Sequence, residues 1–86
     1  MDAIKTEYGM DVFVFKVWGN TQMLAGLPDL IGCVKGRFFG LEVKLPESKT
    51  RVSGRQLLVH GWIQRAGGIC GVVTTKGEAL ELLADA

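Results

Sequence analysis

The chain has 86 residues and a formal net charge of +1, and 48% of its residues are hydrophobic. This length holds one domain, spanning residues 1–86, and so apolar a composition indicates that part of the surface is buried in an oligomer. No stretch approaches the roughly 20 consecutive apolar residues of a membrane span, and acidic residues interrupt the start, which excludes the design of a signal peptide. Cys33 and Cys70 lack the spacing of metal ligands, so we expect reduced thiols and a cytoplasmic protein.

The N-terminal part of the chain predicts a short helix followed by a strand. Asp2–Tyr8 is predicted to be helical, with Asp2 as its N-cap and the next glycine as its end. Val12–Trp18 is rich in β-branched and aromatic residues, and its almost continuous apolarity predicts a strand that is covered on both faces. Its single charge, Lys16, points either toward a cleft or out from a strand edge. The Gly-Asn pair that follows is expected to turn the chain.

Two apolar runs bounded by Gly and Pro predict a pair of neighbouring strands over Leu30–Val34 and Phe38–Leu45. The two residues between the runs, Lys35 and Gly36, form a plausible hairpin turn, because Gly supplies the positive φ that such turns need. A turn one residue later, at residues 36–37, is the alternative.

The register of this hairpin decides which side chains meet. The turn at residues 35–36 places Asp29 opposite Glu42, whereas the later turn places Asp29 opposite Lys44. Both registers leave Asp29, Glu42 and Lys44 on one face, since side chains alternate with period two. The opposite face of the second strand is predicted to be core, and it consists of Phe39, Leu41, Val43 and Leu45.

Two carboxylates that converge with an ammonium group have two physical interpretations. In the first they form a cation site, because two close carboxylates repel each other until one is protonated or a cation binds between them. Mg²⁺ accepts such oxygen ligands while it keeps several waters, and a bound ion polarises a phosphodiester and lowers the pKa of water. Lys44 then lies against the scissile phosphate, and the backbone carbonyl of Val43 is a further candidate ligand. In the second, Lys44 forms an ion pair on a solvated sheet face, which is the commoner meaning of so short a pattern taken alone.

The segment after this strand concentrates positive charge. Residues 44–55 contain four basic residues and one acid, in a chain whose total charge is only +1. A basic loop beside a cleft is typical of phosphate binding, and an ordinary solvated loop is the alternative. The candidate DNA-binding residues are Lys49, Arg51 and Arg55.

A helix over residues 54–66 is predicted to follow, with Ser53 as its N-cap and a Gly-Gly pair at its end. Gln56 lies one turn into this helix, where its amide can orient a water or a ligand carboxylate. His60 shares that face of the helix. We favour a surface position for it over two alternatives, a contact with phosphate and a residue that supports the metal ligands without touching the ion. The apolar stripe expected to pack on the sheet consists of Leu58, Val59, Trp62, Ile63 and Ala66.

The C-terminal part adds a strand and a helix. Residues 69–74 form an apolar run, and Thr75–Glu78 reads as a capping box that opens the last helix. The predicted order is therefore helix, three strands, helix, strand, helix, in which the first three strands form an antiparallel meander and the fourth joins after a helical crossover. The predicted fold class is α/β, with a mixed four-stranded sheet flanked by helices.

Taken together, these motifs resemble one nuclease family. The first motif is Gly26-x-Pro28-Asp29-Leu30-Ile31-Gly32. The second motif is Phe39-x-Leu41-Glu42-Val43-Lys44, and it is followed by Gln56, a Gly-Gly pair and an apolar strand. In this order, over residues 19–74, the chain resembles a small, free-standing, phage-like VRR-NUC (virus-type replication-repair nuclease) domain of the PD-(D/E)xK superfamily. The resemblance implies a restriction-endonuclease-like core and a metal-dependent phosphodiesterase that acts on DNA.

The resemblance also implies roles for individual residues. Asp29 and Glu42 would be ligands of Mg²⁺ or Mn²⁺, Lys44 the catalytic lysine and Gln56 the motif glutamine of the following helix. Superfamily members often place a further acid on the first helix, so Glu7 is a candidate third ligand, with a solvated surface carboxylate as the alternative.

The favoured function is a divalent-metal-dependent, structure-specific DNA endonuclease of DNA repair. Free-standing small members of the family suggest resolution of four-way (Holliday) junctions, and a homodimer would set two active sites against a substrate of matching symmetry. The alternatives are a flap or single-strand-end nuclease, a non-catalytic DNA-binding member of the same fold, and a metal-dependent hydrolase of another phosphate ester such as RNA.

Overall fold

The structure, a computed structural model, describes residues 1–18, 24–48 and 51–86, so the turn expected after Trp18 lies outside the described residues. The fold is α/β, with a four-stranded mixed sheet between helices. The strands are β1 (Val12–Lys16), β2 (Leu30–Val34), β3 (Arg37–Val43) and β4 (Ile69–Val73). The helices are α1 (Asp2–Tyr8), α2 (Gly54–Arg65) and α3 (Lys76–Leu83), and short 3-10 turns span Gly9–Asp11 and Pro46–Ser48.

The hairpin between β2 and β3 has the earlier of the two predicted turns. Lys35 and Gly36 both have positive φ, at 50° and 81°, and Val34 pairs with Arg37 across the turn. Strands β1, β2 and β3 form the predicted antiparallel meander, and β4 joins β3 in parallel after α2. The same register continued by one residue beyond the Leu30–Leu41 pair sets Asp29 opposite Glu42.

The core lies mainly between the sheet and the two terminal helices. Phe39 and Leu41 of β3 are fully buried beneath Ile4 of α1 and Leu83 of α3. The expectation that Val43 and Leu45 continue this core face is wrong, since their exposed fractions are 49% and 65%. Strand β3 ends at Val43, and its last residues extend to the rim of the layer instead of remaining beneath the helices.

Strand β1 is not covered on both faces as predicted. It is an edge strand of the sheet, and Phe13 and Phe15 have exposed fractions of 68% and 45% while Val14 between them is buried. Helix α2 packs on β3 and β4, which leaves the outer face of β1 open. At the start of the chain, Met1 is the N-cap of α1 in place of Asp2.

Helix α2 presents a different face to the sheet from the one predicted. Ser53 caps it as expected, but Leu58 and Trp62 are about half exposed, whereas Val59 and His60 are buried. No helix among residues 1–18, 24–48 and 51–86 is long and apolar enough to cross a bilayer.

Candidate metal centre

Asp29 is held by the close packing of the residues before it. Pro28 is fully buried and lies against Gly40 of β3, where an added Cβ would come within 2.7 Å of the proline Cγ. Gly26 has φ +86° and approaches the backbone of Arg55 at the start of α2. This packing directs the Asp29 carboxylate to the end of β3, where its Oδ2 accepts a hydrogen bond of 2.9 Å from the backbone N–H of Val43.

Glu42 is buried, with an exposed fraction of 3%, and its two oxygens have different surroundings. Oε1 lies 3.7 Å from Nζ of Lys44, which is itself partly exposed. Oε2 lies 4.0 Å from Nε2 of His60 in the interior, and it has no hydrogen-bond partner among the described residues. One side of the carboxylate therefore faces the lysine, and the other faces α2.

The surroundings of Glu42 disfavour its ionised form. The pKa of Glu42 is raised from 4.5 to about 7, first by burial, then by the charge of Asp29 and by a hydrogen bond with Asp29. Lys44 and a hydrogen bond from Gln56 act in the opposite direction without cancelling the rise. Burial has this effect because it removes water from the charged form, and the neighbouring carboxylate has it because it repels a second negative charge. The pair of carboxylates thus shares a site in which a proton or a cation is energetically required.

Gln56 serves both the helix and the site. Its side-chain Oε1 accepts a hydrogen bond of 3.0 Å from the backbone N–H of Ser53, and its own N–H donates to Ser53 Oγ at 3.1 Å, which completes a capping box. Its side chain also acts on Glu42, where its hydrogen-bonding influence lowers the pKa of that carboxyl. The cap fixes the first turn of α2, and the fixed turn presents the amide to the carboxylate.

His60 is the residue whose placement differs most from expectation. It was predicted to lie on the surface, but it is buried with an exposed fraction of 5%, and its Nε2 faces Glu42. Burial lowers the pKa of His60, so the ring is neutral at neutral pH. Its spacing of four residues from Gln56 was the sequence feature that could have identified it, because residues four apart share a helix face.

The donors at this place suit a hard divalent ion. Asp29 and Glu42 supply carboxylate oxygens, and Asp29 lines a cavity together with Val43, whose backbone carbonyl is the third candidate ligand. No group of three or more His, Cys, Asp or Glu side chains in the described parts of the chain is arranged to hold an ion. Two carboxylates fit Mg²⁺ or Mn²⁺, which fills its remaining positions with water, better than an ion that requires a closed set of protein ligands.

The remaining predicted residues lie farther from the two carboxylates or outside the described chain. Glu7 is exposed and lines a different cavity, with Lys76 and Leu80 of α3, so the structure does not bring it to Asp29. Lys49 lies outside the described residues. Arg51 is exposed.

Two other basic side chains occupy defined positions, and one of them lines the cavity of Asp29 and Val43. Arg55 donates from Nε to the carbonyl of Ala25 at 3.1 Å, and its guanidinium lies 5.2 Å from the ring of Trp62. Lys16 lines the cavity of Asp29 and Val43, with its ammonium 4.5 Å from the ring of Trp18. The sequence left two orientations open for Lys16, toward a cleft or out from a strand edge, and in the structure its side chain lines the cavity.

Comparison with protein-family models, with curated proteins and with solved structures gives no significant match for this chain.

Proposed function

We propose that the protein is a divalent-metal-dependent endonuclease that hydrolyses DNA phosphodiester bonds. The observation that carries the proposal is Glu42, a buried carboxylate beside a second carboxylate, with one oxygen unpaired within the described structure. The proposal includes membership of the VRR-NUC family and its restriction-endonuclease-like core, which the motif order and the mixed sheet support. Both cysteines are free, which suits an enzyme that acts in the reducing cytoplasm.

The alternative of a structural ion pair accounts poorly for this geometry. An ion pair that stabilised the fold would lower the pKa of its carboxylate, but the pKa of Glu42 is raised to about 7 although Lys44 lies beside it. The pair is also not on a solvated face, because Glu42 is almost fully buried. A carboxylate held in this way is typical of a functional site, where unfavourable charge is retained for chemistry.

Each residue of the site has its own role in the proposed hydrolysis. Asp29, Glu42 and the Val43 carbonyl would hold the ion, which, when bound, supplies positive charge to the phosphate and to the attacking water. Lys44 reaches the outward side of Glu42 and places its ammonium where negative charge grows on the phosphate oxygens. Gln56 fixes the direction of the Glu42 carboxylate. The hydrogen bond from Val43 N–H does the same for Asp29.

Lys16 and Arg51 are the described cations best placed to contact the DNA backbone. Lys16 shares a cavity with Asp29, and Arg51 is exposed in the loop that follows the site. Arg55 contributes differently, since its bond to Ala25 ties α2 to the segment before Asp29. Contacts of Lys16 and Arg51 with phosphate groups would give affinity for DNA without selecting a base sequence.

We propose further that the protein is a homodimer formed through an aromatic face of the sheet. Phe13, Cys33 and Phe38 lie side by side in one row across β1, β2 and β3, and Phe15 lies within 5.8 Å of Phe13. Helix α2 lies on the same face of the sheet, because its His60 faces Glu42 and Glu42 shares a face of β3 with Phe38, and its Leu58 and Trp62 are about half exposed. The aromatic face is thus defined as Phe13, Phe15, Cys33, Phe38, Leu58 and Trp62.

The exposed area of this face agrees with what a stable dimer needs. With fully exposed aromatic side chains of 150–250 Å², its residues leave roughly 500 Å² of apolar surface in contact with solvent. A standard interface buries about 800 Å² per partner, of which about 60% is apolar, so the two quantities match. Helix α3 is less suitable for an interface, because Ala79 and Leu83 are buried within the protomer.

A two-fold axis through this face would set two metal centres against one DNA molecule, and four-way junctions have matching symmetry. Sedimentation at micromolar concentration should show a dimer that Phe13→Lys converts to a monomer, while Met10→Lys, at a fully exposed position, should leave it intact. Dimeric Phe13→Lys would contradict the interface, and a wild-type monomer would remove the basis for paired cuts.

The central test is cleavage of a panel of labelled duplex, flap, splayed-arm and four-way junction DNAs, with single-stranded RNA as a further substrate. We expect symmetric nicks in the junction with Mg²⁺ or Mn²⁺. Asp29→Ala and Glu42→Ala should each lower the rate by about 10²–10³, and Glu47→Ala, which removes an exposed carboxylate nearby, is the matched control.

The alternatives each have a distinct outcome in this panel. Cutting of flaps with the junction intact would favour a flap nuclease, and DNA binding without cleavage would favour a non-catalytic member of the fold. Cleavage of RNA alone would identify another phosphodiesterase. Full activity in EDTA would refute the metal-dependent proposal.

A further inference from the structure

Two buried polar atoms face each other behind the metal centre without a bond between them. Glu42 Oε2 and His60 Nε2 each lack a hydrogen-bond partner among the described residues, and they are 4.0 Å apart. Leaving such an atom buried and unpaired is unfavourable, because nothing replaces the hydrogen bond that it makes with water in the unfolded chain. Two of them aimed at each other therefore form an arrangement that packing alone would not favour, and they suggest an interaction that forms in another state of the site.

The direction of the Glu42 carboxylate shows what that interaction can achieve. Its Oε1 faces Lys44, whereas Oε2 faces the interior and His60. A hydrogen bond from His60 would hold the inner oxygen and leave the outer one for an ion. Hydrogen bonds of this type have donor–acceptor distances near 2.9 Å, so a shift of about 1 Å in either side chain forms the bond.

We propose that His60 is a positioning residue of the metal centre, whose Nε2–H donates a hydrogen bond to Glu42 Oε2 and so leaves the other oxygen directed toward a cation. Its effect on metal affinity rests on the proposed function, but the hydrogen bond itself does not. Ligand carboxylates are commonly held by such outer partners, and loss of a partner typically lowers metal affinity 10–100-fold. Helix α2 then contributes two donors to one carboxylate, the amide of Gln56 and the ring of His60 one turn later.

The first measurement is Mg²⁺ affinity by calorimetry on the whole chain. His60→Leu removes the donor but keeps a side chain of similar bulk, and it should weaken Mg²⁺ binding 10–100-fold. His60→Gln, whose amide N–H reaches a position similar to that of Nε2, should restore most of the affinity. A purely structural role predicts the opposite ranking, because apolar Leu suits a buried place better than Gln. Wild-type affinity in folded His60→Leu would overturn the proposal.

The second measurement does not depend on metal binding or on how the His60 variants fold. Long-range ¹H–¹⁵N correlation spectra of the wild-type protein in EDTA report which ring nitrogen carries the proton. We expect the proton on Nε2, with a resonance that shifts when Glu42 is replaced by glutamine. A proton on Nδ1 alone, or an Nε2 resonance insensitive to Glu42, would overturn the proposal. If Mg²⁺ does not bind the wild-type protein, the proposed function fails while the spectra still decide the role of His60.

Discussion

Replacement of Glu42 by glutamine should stabilise the protein in the absence of metal, although it removes a proposed ligand. The pKa of Glu42 is 4.5 in the unfolded chain and about 7 in the folded one, so between these values the folded state binds more protons than the unfolded state. The free energy of unfolding therefore falls as pH rises from 4.5 to 7. Gln56 and Lys44 reduce this effect but do not reverse it. A neutral amide of the same shape avoids the penalty altogether.

The size of the effect follows from the pKa difference. One unit corresponds to about 1.4 kcal/mol, so the shift from 4.5 to about 7 amounts to about 3 kcal/mol of stability lost above pH 7. For a domain of this size, 1 kcal/mol moves the melting temperature by about 4–8 °C, and the expected difference between Glu42→Gln and wild type at pH 8 is therefore on the order of 10–20 °C. Below pH 4.5 the two proteins should melt at similar temperatures.

The assay is denaturant unfolding of both proteins in EDTA, across pH 4 to 8, with circular dichroism as the signal. The decisive quantity is the difference between the two curves, since other groups titrate alike in both. Saturating Mg²⁺ at pH 8 should stabilise the wild type by about 3 kcal/mol at a hundredfold excess over its dissociation constant and should stabilise the variant less. A difference that does not change with pH, or a Glu42→Gln protein less stable than wild type at pH 8, would refute the account of this site.

Three further substitutions test neighbouring parts of the site. Lys44→Met should leave Mg²⁺ affinity nearly unchanged in calorimetry but lower the cleavage rate by about 10²–10³, and an unchanged rate would contradict its catalytic role. Gln56→Ala should lower stability by about 1 kcal/mol through loss of the cap, and it should also lower the cleavage rate at saturating DNA. Ser53→Ala should lower stability alone. Equal cleavage rates in the two variants would mean that Gln56 serves only to cap the helix. Gly40→Ala should destabilise the fold by about 1–3 kcal/mol and weaken Mg²⁺ binding, because its Cβ would press on Pro28, while Gly61→Ala at an open position of α2 should stabilise it by up to about 1 kcal/mol.

The parts of the fold that the sequence predicted correctly are those decided by local chemistry. The turn at Lys35-Gly36 follows from the positive φ that glycine adopts without strain, and it sets the register that brings Asp29 opposite Glu42. The start of α2 follows from the capping box of Ser53 and Gln56. In each case the determining atoms lie within a few residues of one another.

The burial of individual side chains was predicted less well, because it depends on distant elements. Apolar residues lie around more than one face of α2, so their spacing did not specify which side faces the sheet, and Trp62 was assigned to the core while His60 was assigned to the surface. The same holds for β1, whose continuous apolarity predicted a central strand. Its position at the sheet edge is set by the order of pairing, and one apolar face of an edge strand can remain open for a second protein chain.

The proposed dimer and the proposed metal centre are connected through stability. An 86-residue domain buries a modest share of its surface and is only marginally stable by itself, and ionisation of Glu42 removes about 3 kcal/mol of that stability at neutral pH. Burial of the aromatic face would offset this loss at about 25 cal/mol per Å², less the entropy of association. Ion binding offsets it at the carboxylates themselves. A monomeric, metal-free form should therefore be the least stable species in solution. In EDTA the melting temperature should fall on dilution at both pH 5 and pH 8, and at every concentration the wild type should lose more stability from pH 5 to pH 8 than Glu42→Gln does. A melting temperature that does not depend on concentration would contradict the dimer, and an equal loss of stability in the two proteins would contradict the Glu42 penalty.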